Sequence, residues 1–149
     1  MSGQSPVVAV FNSSEDVVQL LRTALEEDGY TTATAHVSEI KQGQQDVVDF
    51  FERYDPQVVI YDVSLPYEEN WTFFRLIRDA QAAQGREFII TTPNKRALEE
   101  LVGESEALEL IGKPYDLETI LARVAAAVRR VQAGTAPAAD DEDTGTSSR

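Results

Sequence analysis

Cysteine is absent from the 149 residues, which excludes disulfides, thiolate metal centres and a cysteine nucleophile. A single histidine, His36, argues against histidine-rich zinc sites and against a Ser-His-Asp triad. Basic residues are scarce. Thirteen Lys and Arg face 26 Asp and Glu, for a net charge of -13 and an isoelectric point near 4.4. Such a chain repels phosphate backbones and anionic lipid, so direct nucleic-acid binding and membrane association are not expected. Long hydrophobic runs are missing too: apolar stretches such as Val7 to Phe11 hold about five residues, far below the roughly 18 that span a bilayer. The N-terminal Met-Ser-Gly-Gln-Ser-Pro carries neither the positive charge nor the apolar run of a signal peptide, and a cytoplasmic location is expected.

What is present suffices for one domain, since 42% of the residues are hydrophobic. The last 18 residues, Gln132 to Arg149, combine Asp140-Asp141-Glu142-Asp143 with Ala, Gly, Thr and Ser and have no large apolar anchor. They read as a disordered acidic tail (132–149) after a folded part (1–131), and the folded part is itself acidic at -10.

Continuous Val- and Ile-rich runs at Val7 to Phe11, Val58 to Tyr61 and Phe88 to Ile90 suit buried parallel strands. Thr31 to Ala35 and Leu108 to Ile111 are weaker strand candidates. Between them the period turns helical. Val17, Leu20, Leu21, Ala24 and Leu25 share a face, with Ser13 or Ser14 as cap, Glu15 and Asp16 in the first turn and Gly29 past the end. Helices are also expected over Asp46 to Arg53, Asn70 to Gln84, Lys95 to Leu101 and, capped by Asp116, Leu117 to Val131. Five βα units in succession predict an α/β fold: a doubly wound parallel sheet with five flanking helices and its functional crevice beyond the strand carboxyl ends.

That rule selects Asn12 and Ser13 after the first strand, Asp62 after the third, Thr91 and Thr92 after the fourth and Lys113 after the fifth. From residue types alone, Asp62 could be a phosphoacceptor, a metal ligand or one half of a structural ion pair. No GxGxxG and no P-loop is present.

Three motifs in order resemble the receiver domains of two-component response regulators. Tyr61-Asp62-Val63-Ser64-Leu65-Pro66 is similar to the phosphoacceptor motif, Phe88-Ile89-Ile90-Thr91-Thr92 to the fourth strand with its terminal hydroxyl residue, and Lys113-Pro114-Tyr115-Asp116 to the Lys-Pro-aromatic signature. Thirty residues separate Asp62 from Thr92 and 21 separate Thr92 from Lys113. The resemblance covers about residues 6 to 131 and implies a flavodoxin-like strand order of 2-1-3-4-5. It implies Asp62 as phosphoacceptor, Lys113 and Thr92 as phosphoryl-sensing residues with Thr91 an alternative, and Pro114 in support through a cis Lys113–Pro114 bond. Mg²⁺ would be held by Asp62, by the backbone carbonyl of Ser64 and by the residues at positions 12 and 13.

The departures are as specific as the resemblance. The family's acidic pair is replaced by neutral Asn12 and Ser13, so Mg²⁺ binding is expected to be weak or absent. Glu15 and Asp16 could substitute but suit a helix first turn better. Asn70 stands where a Gly is usual, Pro93 follows the hydroxyl residue, and Leu110 replaces a switch aromatic. The stretch from Tyr30 to Asp62 is longer than usual by about five residues, an insertion expected between Val37 and Gln45.

The expected function is a single-domain receiver module of phosphorelay signalling, not an enzyme, with a phosphorylation-independent pseudo-receiver adaptor as the alternative. Its implied partners are a histidine kinase or phosphotransfer protein and a downstream protein, with a homodimer left open. From another class, a small doubly wound hydrolase or phosphatase with Asp62 as nucleophile lacks the second carboxylate it would need. His36 reads as a solvated loop residue, and Trp71 with Phe73, Phe74 and Ile77 as a mostly buried helix face. Removing Gln132 to Arg149 should leave the melting temperature nearly unchanged in a calorimetric scan, because no apolar burial is lost.

Overall fold

A computed structural model describes residues 5–103, 109–112 and 116–134. Five strands form one parallel sheet: β1 (Val7–Asn12), β2 (Thr31–His36), β3 (Val58–Asp62), β4 (Glu87–Thr92) and β5 (Glu109–Gly112), in the spatial order β2-β1-β3-β4-β5. The helices are α1 (Glu15–Glu27), α2 (Val37–Lys41), α3 (Val47–Tyr54), α4 (Tyr67–Arg78), α5 (Lys95–Val102) and α6 (Leu117–Gln132).

The expected strand order is found, with six helices among the described residues in place of five. The extra one is α2, which fills the Val37 to Gln45 insertion and buries Val37 and Ile40. The expected helix over Asn70 to Gln84 is instead α4, three residues earlier, followed by a short 3₁₀ turn, Gln81–Ala83. Pro66 accounts for the early start, because its fixed φ of -76° suits the entry to a helix at Tyr67. The expected Lys113–Pro114 geometry and the acidic tail beyond residue 134 lie outside the described residues, while a cis bond joins Leu65 to Pro66.

Side chains on each strand alternate between two cores. Ala9, Phe11, Val59, Tyr61, Phe88 and Ile90 face α2 to α5, where Phe50, Phe51, Trp71, Phe74 and Leu98 meet them. Val8, Val10, Val58, Ile60, Ile89 and Ile111 face α1 and α6, against Val18, Leu21, Leu25, Ile120 and Val124. Strands buried on both sides explain the continuous apolar runs, since neither face offers a place for a polar residue.

Helix ends follow the local chemistry. Ser14 caps α1 through the Val17 N–H, Asp46 caps α3, Asn94 caps α5 and Asp116 caps α6. Gly29, at φ +97°, closes α1 with the Tyr30 N–H returning to the Leu25 carbonyl. Gly112 is required for a different reason: a Cβ there would lie 2.9 Å from the Cβ of Lys95, so β5 meets the start of α5 without space for a side chain.

One buried charge lies away from the strand carboxyl ends. Glu87, 7% exposed at the start of β4, accepts from Arg130 of α6 at 2.9 and 3.2 Å. Arg130→Met should lower stability by about 2–3 kcal/mol in urea denaturation, because it strands a carboxylate in the core. The partial exposure of the arginine keeps the loss below that of a fully enclosed pair.

Candidate functional site

The parallel register places the site. Asp62 of β3 lies opposite Thr91 of β4, and residues paired in register point to the same side of the sheet. Val63 N–H donates to the Thr91 carbonyl at 2.8 Å, so the two strands stay zipped one residue beyond Asp62. The Thr91 hydroxyl then donates to Asp62 Oδ1 at 2.7 Å. The other carboxylate oxygen, Oδ2, accepts from the Ser64 hydroxyl. Asp62 is 8% exposed and Thr91 1%, so both hydroxyl contacts form in a poorly hydrated place, where hydrogen bonds to a charged group matter most.

Thr92, the expected sensing residue, is fully buried, pairs with Gly112 of β5 and accepts from the Asn94 N–H at 3.4 Å. The pleat turns it to the opposite face from Thr91, toward α4 and α5. The structure therefore brings Thr91 to Asp62 and turns Thr92 away. Lys113 and Pro114 lie outside the described residues.

Asn12 ends β1 at 4% exposure, and its Oδ1 accepts the Ser14 N–H at 2.9 Å, while Ser13 is exposed. Asn12 thus serves the turn into α1. Glu15 and Asp16 occupy the first turn of α1, and Glu15 is bonded to Gln19 and to His36. Its carboxyl is held below the usual range first by the Gln19 amide and then by His36. His36 ends β2, half-buried, with Nε2 2.6 Å from Glu15 Oε1, so it belongs to the strand and not to a solvated loop. Tyr61, the residue before Asp62, faces the other core; burial first, and the Asp62 charge second, push its hydroxyl well above the usual tyrosine range.

The loop after β3 is held by a residue that spacing alone does not single out as functional. Asn70 in α4 donates from Nδ2 to the Ser64 carbonyl at 2.8 Å and to the Leu65 carbonyl at 3.1 Å. Its Oδ1 accepts from Lys41 of α2 at 2.6 Å, and Lys41 also meets Glu69 at 3.0 Å. Lysine offers only donors and a carbonyl only acceptors, which fixes the orientation of the amide. The Trp71 face matches its expectation, with Trp71, Phe74 and Ile77 buried and Phe73 half-buried.

The Mg²⁺ that the family resemblance implies finds a poor set of donors. Among the described residues no cluster of three or more His, Asp or Glu could hold a metal. The acidic-pair positions are neutral, and the Ser64 carbonyl that would complete the shell already accepts from Asn70. A hard divalent cation selects several anionic oxygens at short range, and here Asp62 alone supplies charge, so the residues do not fit the ion.

Comparison with solved structures places the fold. A response regulator of Thermotoga maritima superposes with a TM-score of 0.62 at 24% identity, covering 84% of this chain and 98% of that one. A CheY-like response regulator receiver domain protein of Methanospirillum hungatei gives 0.66 at 15% identity, covering 88% and 99%. The fold is that of a response-regulator receiver domain. By sequence, the Bacillus subtilis transcriptional regulatory protein YxdJ is 27% identical over 124 residues, 83% of this chain and 50% of that protein. The receiver-like chain spans about half the length of the curated relatives it matches. No family model matches it. No helix among the described residues is long and apolar enough to cross a membrane.

Because Thr91 and not Thr92 touches the carboxylate, the two substitutions separate. Thr91→Val should cost about 1–3 kcal/mol by leaving a buried anion short of a donor, and Thr92→Val less than about 1 kcal/mol. Paired chemical denaturation curves read the difference.

Proposed function

We propose that the chain is a receiver module of two-component signal transduction that works through protein contacts and does not depend on phosphorylation of Asp62. The observation that carries this reading is that neutral Asn12 and Ser13 occupy the positions after β1 where the family resemblance implies an acidic pair, while the Ser64 carbonyl is already taken by Asn70. Each oxygen of Asp62 accepts a hydroxyl hydrogen bond, from Thr91 and from Ser64. Attack of a carboxylate on an anionic phosphoryl group needs cationic charge on the transferred oxygens, which a bound divalent ion ordinarily supplies. With no fit for that ion, Asp62 retains a structural use, joining the loop after β3 to β4.

On this reading a histidine kinase or phosphotransfer protein is a docking partner, a downstream protein receives the signal, and the module works in the cytoplasm without catalysing a reaction. A hydrolase built on Asp62 is disfavoured by the same neutral positions, for Asn12 and Ser13 cannot protonate a leaving group as a second acid would.

The test is exposure of the chain to acetyl phosphate, and separately to beryllofluoride, with millimolar Mg²⁺. Intact-mass measurement should show no phosphorylated species, and the amide NMR spectrum should not change around Asp62. Stoichiometric modification that disappears in Asp62→Asn would overturn this reading and restore phosphorelay through Asp62.

A further inference from the structure

We propose that Asn70 and Lys41 act together as a built-in replacement for the divalent cation, fixing the loop after β3 in a single arrangement without metal. The two residues come from different elements. Asn70 sits in the first turn of α4, and Lys41 ends α2, the helix inserted between β2 and β3. Their contacts form one chain from ammonium to backbone: Lys41 Nζ to Asn70 Oδ1 at 2.6 Å, then Asn70 Nδ2 to the Ser64 and Leu65 carbonyls at 2.8 and 3.1 Å.

The electrostatic sense of that chain is that of a cation. The ammonium polarises the amide, which makes its N–H groups stronger donors, and one of them occupies the Ser64 carbonyl oxygen that a metal shell would use. Lys41 is held in turn by Glu69 at 3.0 Å and lies 5.7 Å from the centre of the Phe73 ring, so its head is anchored on three sides by α4. Its side chain is 29% exposed, low for a lysine on a five-residue surface helix. The insertion that lengthens the β2-to-β3 connection therefore has a use: it carries a positive charge to Asn70, which holds the loop after β3.

The same contacts explain why Asn70 and the neutral pair occur together. With acids at positions 12 and 13 the site would need a cation and an unoccupied Ser64 carbonyl; with Asn12 and Ser13 it needs neither, and an amide can occupy that carbonyl permanently. Asn70 and Lys41 are positioning residues. Asn70 touches the loop and Lys41 acts on it through Asn70; the proposal stands whether or not Asp62 accepts a phosphoryl group.

The experiment measures Mg²⁺ affinity by titration of amide shifts in the 149-residue chain. The background is Asn12→Asp plus Ser13→Asp, which restores the acids. In that background Asn70→Ala should bind Mg²⁺ about tenfold more tightly, because the Ser64 carbonyl is released, and Lys41→Met should shift affinity in the same direction by less. General damage to the fold does not raise metal affinity, so a gain identifies the latch. In the unaltered background and without metal, Asn70→Ala and Lys41→Met should each speed amide hydrogen exchange at Ser64 and Leu65. Equal Mg²⁺ affinity with and without Asn70, or unchanged exchange in both variants, would overturn the proposal. Should Asn70→Ala fail to fold, Lys41→Met alone decides, since that side chain lies at the surface.

Discussion

A carboxylate that has little access to water must be met by donors or cations, and the site at Asp62 follows from how that demand is satisfied. The parallel register of β3 and β4 sets Thr91 opposite Asp62, so one donor comes from the neighbouring strand. The loop leaving β3 folds back to supply the second from Ser64. Asn70 from the next helix donates to the Ser64 and Leu65 carbonyls of the same loop. The path of the chain from Asp62 to α4 is fixed by a sequence of hydrogen bonds that begins with one buried anion.

Much of the fold was legible because burial on both faces leaves a strong trace. Strands such as Val58–Asp62 have every residue buried, and an unbroken apolar run, Val58 to Tyr61, fills all of it but the final Asp62. The cap Asp116 and the terminator Gly29 were equally plain, since each answers a local shortage of hydrogen-bond partners at a helix end, while the cap of α1 was open between Ser13 and Ser14 until the structure placed it at Ser14. Helix α2 was not, because Val37–Lys41 is a single turn and a half with only Val37 and Ile40 buried, too short for a period to show. The start of α4 was read late for a related reason: Glu68 and Glu69 belong to its exposed first turn and carry no apolar signal.

At the carboxyl end of the sheet, the strand-end rule selects both Thr91 and Thr92 without deciding which of them meets Asp62. A shift of one residue reverses the face of a strand, so motif spacing that is accurate to within a residue leaves the orientation open. Only the pairing of Asp62 with Thr91 resolves it. The pair Glu87 and Arg130 was invisible for a different reason. Its partners are 43 residues apart, and a long-range contact between an acid that opens a strand and an arginine late in a helix has no local signature.

Neutral residues at positions 12 and 13 also change what the site requires in order to be stable. Two unit charges about 4 Å apart repel by roughly 1–4 kcal/mol between bulk water and a protein surface, so three acids gathered at Asp62 would be a strained cluster until a cation bound. Such strain is what couples a cation to the shape of a loop, because binding relieves it. Asn12 abolishes it: its amide oxygen caps the turn at Ser14 and adds no charge to a chain already at -13. The Asp62 carboxylate accepts hydroxyl hydrogen bonds from Thr91 and Ser64. With neutral residues at positions 12 and 13, less repulsion is stored there for a cation to release.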